Sequence, residues 1–275
     1  MTGSYIALIA GTLIKTCVAE SAGFRLEDVR CGCGRSTWSS LEQTSSYTIV
    51  FVRRGCFRRR VDGVESVLDP VTAYLERPGE AQQIAHPADG GDSCTQLLLP
   101  PDFVPEASDA RVRFTRPQVD LAHRLLLRVR WDDDVEFVDR AVALADEVLQ
   151  QPPPPAGARR RLTTAEARRR VVDRAREAIA LDPTLDLVAL ARIAAVSAHH
   201  LSRTFRAETG ETVSRYRNRV RTRLVLERLA EGDDRLARLA AELGFSDQAH
   251  LARVVRQELG RTPSSLRAAL VSNCA

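Results

Sequence analysis

The sequence has one lysine, Lys15, among 40 basic residues; all the others are arginine. It has no apolar run near the ~18 residues that mark a membrane helix. Residues 5–15, YIALIAGTLIK, are apolar but too short to span, and no basic stretch precedes them. Neither a signal peptide nor a membrane anchor is expected. The six cysteines are irregularly spaced and form no C-x-x-C pair, which excludes a secreted disulfide framework and makes a reducing cytoplasm the expected location. There is no P-loop, nucleophile elbow or H-E-x-x-H. Between Phe24 and Val104 the only histidine is His86. A metal-dependent dioxygenase needs a cluster of histidine and carboxylate ligands, so no enzyme is expected.

The chain has 275 residues, 44% of them hydrophobic. That length suggests two domains with ample core. The net charge of +4 is unevenly spread. From Ala158 onward 23 Arg stand against 14 Asp and Glu, a net +9; the first 157 residues carry −5. A basic half beside an acidic half points to a polyanionic partner for the former.

Residues 25–103 read as short strands and turns. Residues 46–52, SYTIVFV, are β-rich. Val61–Val64 carries a hairpin signal, and Pro78–Gly79 marks another turn. The spacing suggests a small β-barrel or sandwich. Residues 117–150 turn helical, with Val119, Ala122, Leu125, Leu126 and Val129 on one stripe. Val138, Ala141, Val142, Ala145 and Val148–Leu149 form another, after the acidic break WDDD. QPPPPAG at 151–157 reads as a stiff linker. Everything beyond it is helical by pattern, with breaks near Asp182–Pro183, Gly210, Gly232 and Gly260.

The helical half repeats itself. Residues 193–210 read IAAVSAHHLSRTFRAETG, and residues 243–260 read LGFSDQAHLARVVRQELG. Aligned on the last glycine, Leu201 meets Leu251, Arg203 meets Arg253 and Arg206 meets Arg256, an offset of 50. Upstream the offset is 49: Leu190 meets Leu239, Val196 meets Phe245 and Ser197 meets Ser246. One copy therefore has an extra residue after its turn. Each copy reads as a short apolar helix, a tight turn and a second helix, the grammar of a helix-turn-helix. Gly244 supplies the positive φ of its turn. Ser197 and Ser246 are expected to cap the second helices. Leu201, Phe205, Leu251 and Val255 face the core. The outer stripe carries His199, His200, Ser202 and Arg203 in one copy, and Gln248, Ala249, His250 and Arg253 in the other. Such side chains read base edges in a major groove, which admits one helix.

Residues 190–229 and 236–267 resemble the DNA-binding domain of the AraC/XylS family of bacterial transcription regulators. The closing element is Gly260-x-x-Pro263-x-x-Leu266-Arg267, with leucine where the family usually has an aromatic. The resemblance implies two recognition helices in adjacent major-groove segments, with the eight outer residues above as base readers. It also implies Arg206 and Arg256 as phosphate contacts, a connecting helix over about 212–230, and Arg219 as an internal tie. Residues 61–87, VDGVESVLDPVTAYLERPGEAQQIAHP, are similar to the cupin-like sensor domain of such regulators.

The resulting expectation is an α+β chain. Residues 1–113 form a cupin-like sensor, 114–150 a helical dimerisation hairpin, 151–164 a Pro-rich linker and 165–275 a double helix-turn-helix domain. Its partners are a double-stranded DNA operator, RNA polymerase, a second copy in a homodimer, and a small-molecule or metal effector; no membrane is involved. Cys31, Cys33, His86 and Cys94 would hold zinc or another thiophilic metal if the barrel brought them together. Those thiols are equally explained as a redox switch or as ordinary buried side chains. A cupin-type enzyme and a non-specific DNA-binding protein remain the alternatives.

Overall fold

The computed structural model describes residues 5–8, 11–32, 37–87, 91–104, 112–128, 131, 133–150 and 162–271. Cys33, Val129 and the proline run 151–157 lie outside them. The strands are β1 (Tyr5–Leu8), β2 (Gly11–Ser21), β3 (Phe24–Cys31), β4 (Glu42–Gln43), β5 (Tyr47–Arg54), β6 (Phe57–Val61), β7 (Val64–Leu68), β8 (Thr72–Glu76), β9 (Ala81–Ala85), β10 (Asp92–Leu99) and β11 (Arg113–Phe114). They build two antiparallel sheets. One runs β1-β2-β3-β10-β5-β8-β11 and the other β4-β9-β6-β7.

β5 shows why the large sheet forms. Its run Ile49-Val50-Phe51-Val52 is apolar at every position because both faces are covered. Val50 and Val52 face the small sheet, packing with Val29, Phe57, Leu68 and Tyr74. Ile49 and Phe51 face the other way and join Leu26, Leu75, Leu97 and Leu99 beneath a helical hairpin. That hairpin is α1 (Pro117–Leu126) and α2 (Asp134–Leu149). α1 opens with proline at its first position, and Asp133 caps α2 by accepting a bond from Val135 N. The hairpin β6–β7 turns at Asp62-Gly63, both at positive φ, with Val61 opposite Val64 as the sequence suggested. The apolar 5–15 segment, too short to span a membrane, supplies β1 and the start of β2, which pairs with β3.

The helical half follows as α3 (Leu162–Leu181), α4 (Leu187–Ile193), α5 (Ala198–Thr209), α6 (Val213–Ala230), α7 (Leu236–Glu242), α8 (Gln248–Leu259) and α9 (Pro263–Val271). α3 begins at Leu162, inside the expected linker of 151–164. α4 and α5 pack with α3 and half of α6 around Leu190, Leu201, Phe205 and Tyr216. α7 to α9 pack on the other half around Leu226, Leu229, Leu251 and Leu266. Neither core is closed by its own helices alone. Val71 and Phe114 of the sheet region enter the first, and Leu121 and Leu125 of α1 enter the second.

Polar side chains complete this junction. Arg53 of β5, Arg124 of α1 and Arg223 of α6 are each 2% exposed or less. Arg53 pairs with Asp28 and, at 3.5 Å, with Glu227; Arg124 also reaches Glu227 at 3.5 Å, and Arg223 pairs with Asp120. Three guanidinium groups thus face three carboxylates. On the far side Asp69 accepts from Arg176 Nε at 3.0 Å and from the Tyr216 hydroxyl. Arg176 Nη2 also donates to the Val67 carbonyl at 2.9 Å. Burying an ion pair offsets much of its attraction, but removing one partner strands a charge and costs about 3–5 kcal/mol.

His123 lies inside the first cluster, stacked on Phe51 with centroids 4.6 Å apart. Its Nε2 lies 3.0 Å from Arg124 Nη1, which can only donate, so Nε2 accepts. The ring proton therefore sits on Nδ1 and goes to Thr95 Oγ1, 3.1 Å away. Burial first, then Arg124, Arg53 and Arg223, push the His123 pKa well below its ordinary value. The unfolded chain accordingly takes up a proton here that the folded chain refuses. Stability should fall as pH drops below about 6.5. Thermal melts across pH 5 to 8 should show that fall, and His123→Gln should flatten it. An unchanged slope in the variant counts against the neutral buried ring.

Ala195, in the turn after α4, has φ 57°. An alanine there is strained by about 1 kcal/mol. Ala195→Gly should raise the denaturant midpoint by the equivalent of roughly 0.5–1 kcal/mol. A lower midpoint would show that the alanine methyl has a packing role that outweighs the strain.

Candidate nucleic-acid interface and the sheet cavity

The two repeats fold into the same unit by slightly different means. In the first, Ala195 takes the left-handed turn and Val196 N returns to the Ala191 carbonyl at 3.0 Å. Ser197 caps α5, accepting from His200 N at 3.2 Å. In the second, Gly244 takes the turn at φ 76°, and Phe245 N returns to Ala240 O at 2.8 Å. A Cβ at Gly244 would lie 3.0 Å from Thr184 Cα and 2.6 Å from the Arg221 guanidinium, so the glycine serves packing as well as φ.

The expected cap at Ser246 is corrected here. The residue inserted after the second turn is Asp247, and its Oδ1 accepts from His250 N at 2.7 Å. Ser246 instead contacts His250 Nδ1 through Oγ at 3.1 Å. Both second helices end on a left-handed glycine, Gly210 and Gly260.

One stripe of each second helix is sealed. Leu201, Phe205, Leu251 and Val255 are all fully buried. On the opposite stripe His199, Ser202, Arg203, Arg206, Gln248, Ala249, Arg253 and Arg256 are exposed. The two remaining candidates are half-buried. His200 lies 3.4 Å from Thr204 Oγ1, and His250 folds against Ser246 and the edge of Phe245. His250 therefore also fastens the start of its own helix, a role the sequence did not indicate.

Four arginines of α6 are spent internally, while Arg215 stays exposed. Arg219 bonds Glu211 and the Thr115 carbonyl, Arg221 the Pro183 carbonyl, Arg217 the Leu185 carbonyl, and Arg223 Asp120. The charge excess of this half is therefore partly a structural device. What faces outward on the recognition stripes is four arginines, Arg203, Arg206, Arg253 and Arg256.

Between the two sheets lies a cavity of about 480 Å³. Its walls carry Lys15, Glu27, Tyr74, Gln82 and Gln96. Lys15 Nζ donates to Gln96 Oε1 at 3.0 Å and lies 4.0 Å from Glu27. Cys31, His86, Asp92 and Cys94 also line it. Donor atoms of Cys31, His86 and Asp92 all lie within 4.8 Å of one another. His86 Nε2 is 2.7 Å from Asp92 Oδ1, and Cys94 Sγ is 3.2 Å from Asp92 Oδ2. The structure thus gathers Cys31, His86 and Cys94 from the expected thiol set and adds Asp92. The missed signal was parity: Asp92 and Cys94 are two apart on one strand, hence on one face. Burial, then Asp92, pushes the Cys94 thiol well above its usual pKa. Cys56 lies elsewhere; burial, then Asp69, pushes it up to about 12.

Residues 190–269 match the family model described as a helix-turn-helix domain. Over 80 residues the chain is 35% identical to the HTH-type transcriptional regulator Rv1931c of Mycobacterium tuberculosis (strain ATCC 25618 / H37Rv), covering 29% of this chain and 31% of that protein. Over 67 residues it is 37% identical to the HTH-type transcriptional activator RhaS of Pectobacterium carotovorum subsp. carotovorum (strain PC1), covering 24% of each. The matched region thus spans less than a third of these relatives. Among solved structures, unsaturated fatty acid-bound wild-type ToxT from Vibrio cholerae strain SCE256 aligns over 92% of this chain and 98% of its own, at 10% identity and TM-score 0.37. The match over residues 190–269 and the two turn-linked helix pairs within it agree: this part of the chain is an AraC-type helix-turn-helix domain.

Proposed function

We propose that this chain is a sequence-specific DNA-binding regulator of transcription whose sheet domain senses an effector. One observation carries the reading: two recognition helices, each with a sealed apolar stripe and an exposed stripe of arginine, histidine and small polar residues. Arg203 and Arg253 are the base readers closest to guanine chemistry, and Arg206 and Arg256 the phosphate contacts. The cavity between the sheets is the effector pocket. The buried ion pairs from Arg53, Arg124 and Arg176 to α6 and the sheet region carry its state to the DNA-binding helices. The reading extends to cytoplasmic location, contact with RNA polymerase and a homodimer. α1 is occupied within the chain by α6, α8 and α9, which leaves the outer face of α2 for a second copy. Among the described residues no helix is long and apolar enough to cross a membrane.

The test is binding to sites selected from a random duplex pool, measured against unselected DNA at several salt concentrations. Arg203→Ala and Arg253→Ala should each relax preference at one base pair and cost about 1–3 kcal/mol on the selected site. Arg256→Ala should weaken all sequences alike and flatten the salt slope by about one unit. Equal losses on selected and random DNA for Arg203→Ala and Arg253→Ala would identify a non-specific binder instead.

A further inference from the structure

The cluster at one end of the cavity has no role in holding DNA, and its composition is specific. Cys31 closes β3, His86 follows β9 of the opposite sheet, and Asp92 opens β10. Three segments distant in sequence thus bring sulfur, imidazole nitrogen and carboxylate oxygen to one point. The backbone is built to let them meet. Asp92 sits directly opposite Cys31 in the β3–β10 register. A Cβ at Gly91 would lie 1.9 Å from the Cys31 carbonyl oxygen, and one at Gly55 would lie 2.4 Å from the Gly91 oxygen. Only glycine allows this double approach. β5 bulges at Arg53, opposite Ser93 and Cys94, while β10 keeps its alternation against β3, so Cys94 presents a second sulfur on the same face, 3.2 Å from Asp92.

A purely structural role explains less. His86 and Asp92 alone would satisfy each other, and neither would need a thiol on either side. His86 and Asp92 are each 9% exposed, so a charged carboxylate there gains from a nearby cation. Sulfur, nitrogen and oxygen donors in one set suit a borderline-soft divalent ion, and such an ion displaces the thiol proton on binding.

We infer that Cys31 Sγ, His86 Nε2 and an Asp92 carboxylate oxygen form a binding site for one zinc-class divalent cation at the end of the sheet cavity. Cys94 Sγ, 3.2 Å from the other Asp92 oxygen, lies beside the set. With three protein ligands the fourth position faces the cavity, as in zinc sites that exchange a ligand. The cation site stands on its own geometry; its use as the regulatory signal rests on the regulator reading above.

The experiment uses the full-length protein, reduced and stripped with chelator, titrated with Zn²⁺ and separately with Co²⁺. One Zn²⁺ per chain is expected by native mass spectrometry, together with a thiolate-to-cobalt charge-transfer band in the near ultraviolet. Cys31→Ser should abolish or strongly weaken that band. Asp92→Asn, which keeps the shape, should weaken Zn²⁺ by more than the roughly 10–100-fold that loss of an outer hydrogen-bond partner costs. Cys94→Ser should weaken it less than Asp92→Asn does. The circular dichroism of each stripped variant should match the stripped parent, which keeps misfolding apart from ligand loss. Absence of stoichiometric Zn²⁺, or a cobalt band unchanged in Cys31→Ser, overturns the site. Zn²⁺ binding without preference for selected DNA overturns the regulator reading alone; selected-site preference without Zn²⁺ binding overturns the cation site alone.

Discussion

Three buried arginines decide how this molecule is put together. Arg53, Arg124 and Arg223 come from a strand, the hairpin helix and the connecting helix, and each is matched by a buried carboxylate from another element. Arginine suits this role because its planar, always-charged guanidinium offers five donors and is weakly hydrated compared with an ammonium group. A chain with a single lysine relies on that property. The neutral His123 fits only because the cluster around it already carries the positive charge.

The consequence is a connecting helix under two sets of ties. Toward the first helix-turn-helix, Tyr216 and Arg176 converge on Asp69 in the turn between β7 and β8. Toward the second, Arg223 and Glu227 engage α1 and β5. The same helix is thus tied both to the sheet region and to α1. The cavity lies against the inner face of the large sheet, while Arg53 and Thr95 leave its outer face toward α1. Strand alternation alone puts cavity-facing and helix-facing residues one position apart.

The repeat was the most legible part of the chain, because a 3.6-residue apolar rhythm, a turn residue and a cap are local features. Even so, two details depended on tertiary geometry. Asp247 rather than Ser246 caps α8, since the inserted residue moves the helix start by one. Ala195 holds a left-handed turn that a glycine would normally mark, and Val196 N bonds back to the Ala191 carbonyl across it. In α1, Asp120, His123 and Arg124 lie off the apolar stripe of Val119, Ala122, Leu125 and Leu126, yet they are among the most buried side chains of the molecule. Nothing in their spacing says so.

Sequence alone determined the double helix-turn-helix, the stripe that seals each second helix and the stripe left outside, because helical periodicity sorts residues without reference to distant partners. It also determined the turn at Asp62-Gly63 and the strand-rich character of the first half. Tertiary structure decided which charges are structural: Arg217, Arg219, Arg221 and Arg223 of α6 raise the formal charge of the helical half, but their partners are carbonyls and carboxylates up to 104 residues away. It likewise decided that Cys31, His86 and Asp92 share one corner of the cavity. Their meeting depends on the β3–β10 register and on two glycines without side chains, and neither can be read from the spacing of the three residues along the chain.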